Sequence, residues 1–300
     1  MIYITAGELY TDIDAFSCAI AYSYLLNQKN IENKVYLPGV LNASVTDTVK
    51  SWNIKFETKI NLSESDKFII VDASEPSYLA KPANDNNIIE VFDHRYGFAD
   101  HYNKLLGEKS KIELVGACAT LIWEEFKKEN IQIDSLNANL LILAIVSNTL
   151  DFKSSVTTDR DIKAFNELLA FIDMPLGWKE NYFKEQSEYI EKNPREAVLE
   201  DTKNVSSDLV FAQIELWNGY DFINKNKLEI KEALESLANP NWMISVPSIN
   251  EGVNYIYTES NYIKDLLKKI IEINFDGDIG KTSKLWLRKE IRAKILKLNN

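Results

Sequence analysis

Several acids and one histidine stand where short apolar runs of the chain end. The segment G-E-L-Y-T-D-I-D follows the first run and supplies Glu8, Asp12 and Asp14. Asp72 follows Phe68-Ile69-Ile70-Val71, and Asp93, His94 and Arg95 close the run that begins at Ile88. Carboxylates held at one edge repel each other unless a cation lies between them. Oxygen donors with a single imidazole suit Mg²⁺ or Mn²⁺ better than Zn²⁺ or Cu²⁺. Each acid also has a plainer use. Asp12 and Asp14 can serve as N-cap and first-turn acid of a following helix, Asp72 can cap a turn, and Asp93 can pair with Arg95. Metal chemistry follows only if the fold brings these ends together.

The elements that must do so alternate. Ile2–Thr5, Lys34–Leu37, Phe68–Val71 and Ile88–Phe92 are apolar runs of buried-strand length. Helical apolar spacing appears at 15–26, 119–128, 136–147 and 159–171. Strands alternating with helices give an α/β domain with a mainly parallel sheet, and such sheets bind ligands at the carboxyl ends of their strands. The segment 186–200 is charged, carries Pro194 and reads as a linker with a short helix. Beyond it, strand-like 209–216, 242–246 and 253–257 mix with helices as a smaller α/β domain. The expected domains are therefore 1–185 and 186–300.

Composition narrows the chemistry. The chain has 300 residues, a net charge of −11, two histidines and two cysteines. A multi-histidine zinc site, a cysteine-rich zinc site and a disulfide framework are all excluded. Cys18 and Cys118 read as packed core thiols and His101 as a loop histidine. An acidic surface argues against nucleic acid and anionic membrane as partners. With no leader pattern and no long apolar stretch, a cytoplasmic protein is expected. Residues 281–300 depart from the trend, with seven Lys or Arg against Glu290. Charge patterning alone reads them as a solvated basic helix, held by an apolar stripe of Leu287, Ile291, Ile295 and Leu298.

The motifs in order resemble the DHH phosphoesterase superfamily. D-I-D at 12–14 with its small-residue helix resembles the first motif, I-I-V-D-A-S the second and V-F-D-H-R-Y-G-F the third, D-H-H. G-A-C-A-T-L-I-W resembles the small-residue helix start that follows, and A-I-V-S-N-T-L-D the fourth motif, S-D-T. The second half resembles the DHHA2 domain through E-D-T-K at 200–203 and L-R-K-E at 287–290. The branch resembled holds manganese-dependent (family II) inorganic pyrophosphatases, exopolyphosphatases and prune-like proteins.

The resemblance implies a two-domain fold and two divalent metals, Mn²⁺ or Mg²⁺, that activate water; at least one ion is expected here. Carried over by position, the ligands would be Glu8, Asp12, Asp14, Asp72, His94 and Asn148, with Asp72 shared. Asp93 would orient His94 or brace the turn. Lys203, Arg288 and Lys289 would clamp an anionic substrate. Four positions depart from the family pattern: Glu8 stands for a histidine, Ala73 for a histidine, Arg95 for the second histidine of D-H-H, and Asn148 for an aspartate. Arginine cannot donate a proton at neutral pH but can stabilise phosphate charge, which favours a phosphoanhydride over a monoester. The expected function is hydrolysis of pyrophosphate or short polyphosphate, with a small phosphate compound as partner and a homodimer left open. The alternative is a catalytically weakened homologue that binds phosphate ligands or a protein. An oligonucleotide phosphodiesterase is disfavoured, since no glycine-rich second domain is present.

Overall fold

A computed structural model describes residues 1–206 and 208–298, with the backbone but not the side chain of Tyr96. The chain divides into two compact units, 1–152 with 156–179, and 153–155 with 180–300. The expected boundary at 185/186 falls inside a helix, Trp178–Lys192.

The first unit is built on five strands: β1 (Ile2–Thr5), β3 (Asn33–Val35), β5 (Lys67–Val71), β6 (Ile88–Asp93) and β7 (Ser110–Ile112). They lie in the order β3-β1-β5-β6-β7, all parallel. A short pair, β2 (Tyr10–Thr11) and β4 (Val40–Leu41), sits apart from this sheet. The chain goes from β1 outward to β3, then returns to the other side of β1 at β5. The connections leaving β1 and β5 therefore diverge, which opens a crevice at their carboxyl ends. Glu8, Asp12 and Asp14 follow β1, and Asp72 follows β5. The β6 register places Val71 opposite Phe92, so Asp72 and Asp93 reach the same level.

Helices α1 (Ile13–Gln28), α2 (Asp47–Ser51), α3 (Ala99–Leu106), α4 (Cys118–Lys128), α5 (Ser135–Asn148) and α6 (Asp159–Leu168) complete this unit. The first half of α1 is buried on every side. Its Ala15, Ser17, Cys18, Ala19 and Ala21 let it fit among α4, α5 and the sheet. An added methylene there would overpack the core, at about 1–3 kcal/mol. In α5, Leu140–Val146 is likewise wholly buried, so an apolar run too short to span a membrane is a core helix. Among the described residues, no helix is long and apolar enough to cross a membrane.

After α5 the chain does something uncommon. Leu150, Asp151 and Phe152 all have left-handed backbone, with φ of 50°, 52° and 64°. Side chains seldom adopt this conformation in succession. Asp72 is left-handed too, at φ 52°.

The second unit has a six-stranded mixed sheet, β12-β13-β11-β10-β9-β8. The strands are β8 (Thr202–Ser206), β9 (Leu209–Gln213), β10 (Asn241–Ser248), β11 (Val253–Tyr257), β12 (Ile273–Asp276) and β13 (Ile279–Thr282). Among the described strands of this sheet only β9 and β10 pair in parallel. Its helices are α8 (Pro194–Glu200), α9 (Gly219–Glu235), α10 (Asn261–Ile270) and α11 (Arg288–Leu298), while α7 (Trp178–Lys192) leads into it. The charged stretch expected as a linker is thus helical almost throughout. Proline at the first position of α8 starts that helix rather than interrupting one. In α11, Ile291 and Ile295 are buried as the stripe requires, but Leu298 stays half exposed.

Candidate metal centre

Asp14, Asp72 and His94 come together at the crevice. Each offers one ligand atom, and these atoms lie within 4.8 Å of one another. Two carboxylates and one imidazole are a donor set that fits Mn²⁺ or Mg²⁺.

Asp14, in the first turn of α1, is fully buried. Its Oδ2 accepts from the Cys118 N–H at 2.7 Å and from Asn148 Nδ2 at 2.5 Å. Its Oδ1 accepts from the Ala119 N–H at 2.9 Å and from the Cys18 thiol at 3.4 Å. The carboxylate thus caps the N-terminus of α4, where free N–H groups favour negative charge. Burial nevertheless raises the Asp14 carboxyl to about 7, helped by the charge of Asp72.

His94 is oriented from behind. Its Nδ1 lies 3.2 Å from the Val115 carbonyl oxygen, and its Nε2 faces Asp72 Oδ1 at 3.3 Å. A proton held on Nδ1 by the carbonyl leaves Nε2 as the ligand atom. Burial alone would lower the imidazole, but the hydrogen bond and charge of Asp72 outweigh it and lift it to about 9. In Asp72 burial works upward, yet Arg95 and His94 together hold the carboxyl below its ordinary value.

Arg95 lies among these acids. Its Nη2 donates to Asp72 Oδ1 at 3.1 Å, and its Nε to Asp93 Oδ1 at 3.3 Å. Asp93, buried, also accepts the His94 N–H at 2.8 Å and the Ser74 hydroxyl on its other oxygen. It braces the turn that carries His94 and pairs with Arg95.

The remaining candidates are placed differently. Asp12 caps α1 by accepting the Ala15 N–H at 2.9 Å. Burial, then the charge of Asp72, pushes its carboxyl up to about 6, so it feels the cluster without joining the three-residue group. Glu8 is turned to Lys81: Oε2 accepts that residue's N–H at 2.9 Å, and Oε1 lies 3.4 Å from its ammonium. Asn148 adjoins Asp14 through its NH₂ group, hence as a donor. Asp151 pairs with Lys179 at 2.7 Å, and the exposed His101 pairs with Asp85. Cys18 and Cys118 are buried core thiols. In the second unit, Arg288 pairs with Asp201 at 2.7 Å, and Lys203, near that same aspartate, and Lys289 are exposed.

Sequence reasoning gave no role to Asp161, which proves central. Fully buried, it accepts from Gly116 N–H (2.8 Å), Ala117 N–H (3.3 Å), Thr120 Oγ1 (2.6 Å) and both Thr158 N–H and Oγ1 (2.7 Å). It fixes the chain entering α4, whose next N–H groups hold Asp14. Gly116 lies so close that a Cβ would meet Thr149 Cγ2 at 2.7 Å and the Asp161 carboxylate at 2.8 Å.

No protein-family model matches the chain. A protein of Lactobacillus delbrueckii subsp. bulgaricus assigned as a manganese-dependent inorganic pyrophosphatase is 30% identical over 164 residues, 54% of this chain and 52% of that protein. One of Exiguobacterium with the same assignment is 27% identical over 241 residues, 76% of this chain and 75% of that protein. The chain thus spans about half the length of most of the curated relatives it matches. Among solved structures, a Methanococcus jannaschii protein assigned as a family II inorganic pyrophosphatase superposes with a TM-score of 0.68 at 21% identity, over 99% of this chain and all of that one. An exopolyphosphatase-related protein of Bacteroides fragilis gives 0.53 at 11% identity, over 99% and 90%. The two-domain fold is shared with these structures, and the relatives' assignments agree with the resemblance in the motifs.

Proposed function

We propose that this chain is a metal-dependent phosphohydrolase acting on a phosphoanhydride, pyrophosphate or short polyphosphate, in the cytoplasm. The observation that carries this reading is the Asp14–Asp72–His94 group at the crevice of a parallel sheet, in a chain whose relatives are assigned as pyrophosphatases. When bound there, at least one Mn²⁺ or Mg²⁺ supplies a Lewis acid that lowers the pKa of water and polarises a phosphoryl oxygen.

The residues divide the remaining work. Asp14, Asp72 and His94 hold the ion, with Asp12 and Asn148 beside them and Glu8 held off by Lys81. The α4 N–H groups and the Val115 carbonyl fix the angles of Asp14 and His94 before the ion arrives. Arg95 keeps a permanent positive charge beside the site and stabilises charge on phosphate oxygens without donating a proton. A polyphosphate leaving group needs little protonation, so the lost histidine matters less for an anhydride than for an ester. Lys203, Arg288 and Lys289 of the DHHA2-like region are the proposed anion-binding groups.

A second reading, a weakened homologue that binds phosphate compounds, draws on Arg95, on Asn148 donating to Asp14, and on Glu8 being tied to Lys81. Phosphate release from pyrophosphate, polyphosphates and a nucleotide panel, with Mn²⁺ and Mg²⁺ tested separately, separates the two. Release from the anhydrides is expected. Binding of pyrophosphate with no release under any condition would replace the first reading by the second.

A further inference from the structure

We propose that the Arg95 guanidinium takes the place of a second metal ion, so that this centre holds a single Mn²⁺ or Mg²⁺. The inference rests on the metal-dependent reading above and sets its ion count.

Three observations converge. First, among the described residues only one group of three donors is close enough to hold a metal, Asp14, Asp72 and His94. Second, a second ion would need Asp72 to share its carboxylate, and the Arg95 Nη2 already donates to Asp72 Oδ1 while its Nε holds Asp93. Of the other acids, Glu8 is turned to the backbone and ammonium of Lys81, and Asp12 lies outside the three-residue group.

Third, the guanidinium already supplies a positive charge among these acids. Asp12, Asp14, Asp72 and Asp93 bring four carboxylates, and Glu8 is offset by Lys81. One dication and one guanidinium leave a single negative charge at the centre. A second dication would turn this into a single positive charge and would lie against the guanidinium, a like charge that repels it. Without the guanidinium, the same four carboxylates would match two dications. Arginine is suited to this part, because its charge does not titrate and its planar edge spans two carboxylates.

The test counts ions. Wild-type protein is equilibrated with Mn²⁺, desalted and analysed by plasma mass spectrometry, with paramagnetic resonance to distinguish an isolated ion from an exchange-coupled pair. Wild type is expected to keep one Mn²⁺ per chain with an isolated-ion signal. Arg95→Ala and Arg95→His should move toward two, with coupling, while Arg95→Lys, which keeps the charge, should stay at one. Arg95 is more than half exposed, so these variants should fold, and circular dichroism checks that they do. Two ions in wild type, or one ion in folded Arg95→Ala and Arg95→His, or two in Arg95→Lys, overturns the inference and leaves the metal-dependent reading intact. No retained Mn²⁺ in wild type overturns both.

Discussion

Replacing Asp161 by alanine tests whether the metal centre is positioned from behind. The carboxylate receives five donors, and removing it leaves the buried Gly116 and Ala117 N–H groups without partners. Each orphaned buried donor costs about 1–3 kcal/mol. Losing the reciprocal cap with Thr158 at the start of α6 costs about 1 kcal/mol more. Asp161→Ala should therefore lower stability by about 4 kcal/mol, a large share of the roughly 5–15 kcal/mol of an ordinary domain. Asp161→Asn keeps the shape but turns one acceptor into a donor facing donors, so about half that loss is expected. The functional consequence runs through two residues: the entry to α4 shifts, and the Cys118 and Ala119 N–H groups no longer aim at Asp14. Removing such a supporting partner typically costs roughly 10–100-fold in metal affinity. Urea denaturation of metal-free protein gives the first quantity, and calorimetric Mn²⁺ titration of folded Asp161→Asn gives the second. A loss below about 1 kcal/mol in Asp161→Ala, or wild-type Mn²⁺ affinity in Asp161→Asn, would refute the reasoning.

Other perturbations probe neighbouring contacts. In the metal-free protein His94 holds its proton up to about 9, and a ligand must lose that proton to bind metal. Mn²⁺ affinity should therefore rise about 100-fold from pH 6 to 8, with a further contribution from the raised Asp14, and an affinity flat over that range would count against it. By the same shift, protonated His94 stabilises the metal-free fold below its ordinary value, and this contribution is lost as pH rises toward 9. Asn148→Asp sets a second carboxylate against Asp14, so thermal melting should fall without metal and recover with a larger Mn²⁺-induced rise than wild type shows. Gly116→Ala should destabilise by about 2 kcal/mol in urea titrations, since its Cβ meets a buried carboxylate it cannot displace. Tyr22→Phe should cost about 1–2 kcal/mol by the same measurement, because the buried Glu90 loses the phenol at 2.7 Å.

The parts of this fold legible in sequence are those whose burial is uniform. β1, β5 and β6 read clearly because a parallel sheet covered on both faces needs unbroken apolar runs, and acids at their ends then fall at a predictable edge. The α7–α8 region read only as a linker with a short helix, since its described burial rests on a few residues, Tyr182, Phe183, Ser187 and Val198. α3 is mostly exposed and gave no apolar pattern. Within the site, Asp72 and His94 follow from position, whereas Asp12 took the plainer role open to it, an N-cap. The competition of Lys81 for Glu8 and the support by Asp161 depend on backbone N–H groups. Every residue but proline carries one, so they leave no signature of residue type. The small-residue run G-A-C-A marks the α4 entry but not the aspartate that anchors it, 45 positions later.

The three proposed ligands, Asp14, Asp72 and His94, come from widely separated stretches of chain, and Asn148 supports Asp14 by a hydrogen bond across 134 positions. No fragment of the first unit contains a usable site. An ion cannot gather until β1, β5 and β6 lie side by side and α5 has docked, contacts of long sequence separation that form slowly. Manganese should then act as a latch rather than a nucleus: it leaves the refolding rate almost unchanged and slows unfolding, so that its benefit appears as a longer-lived native state.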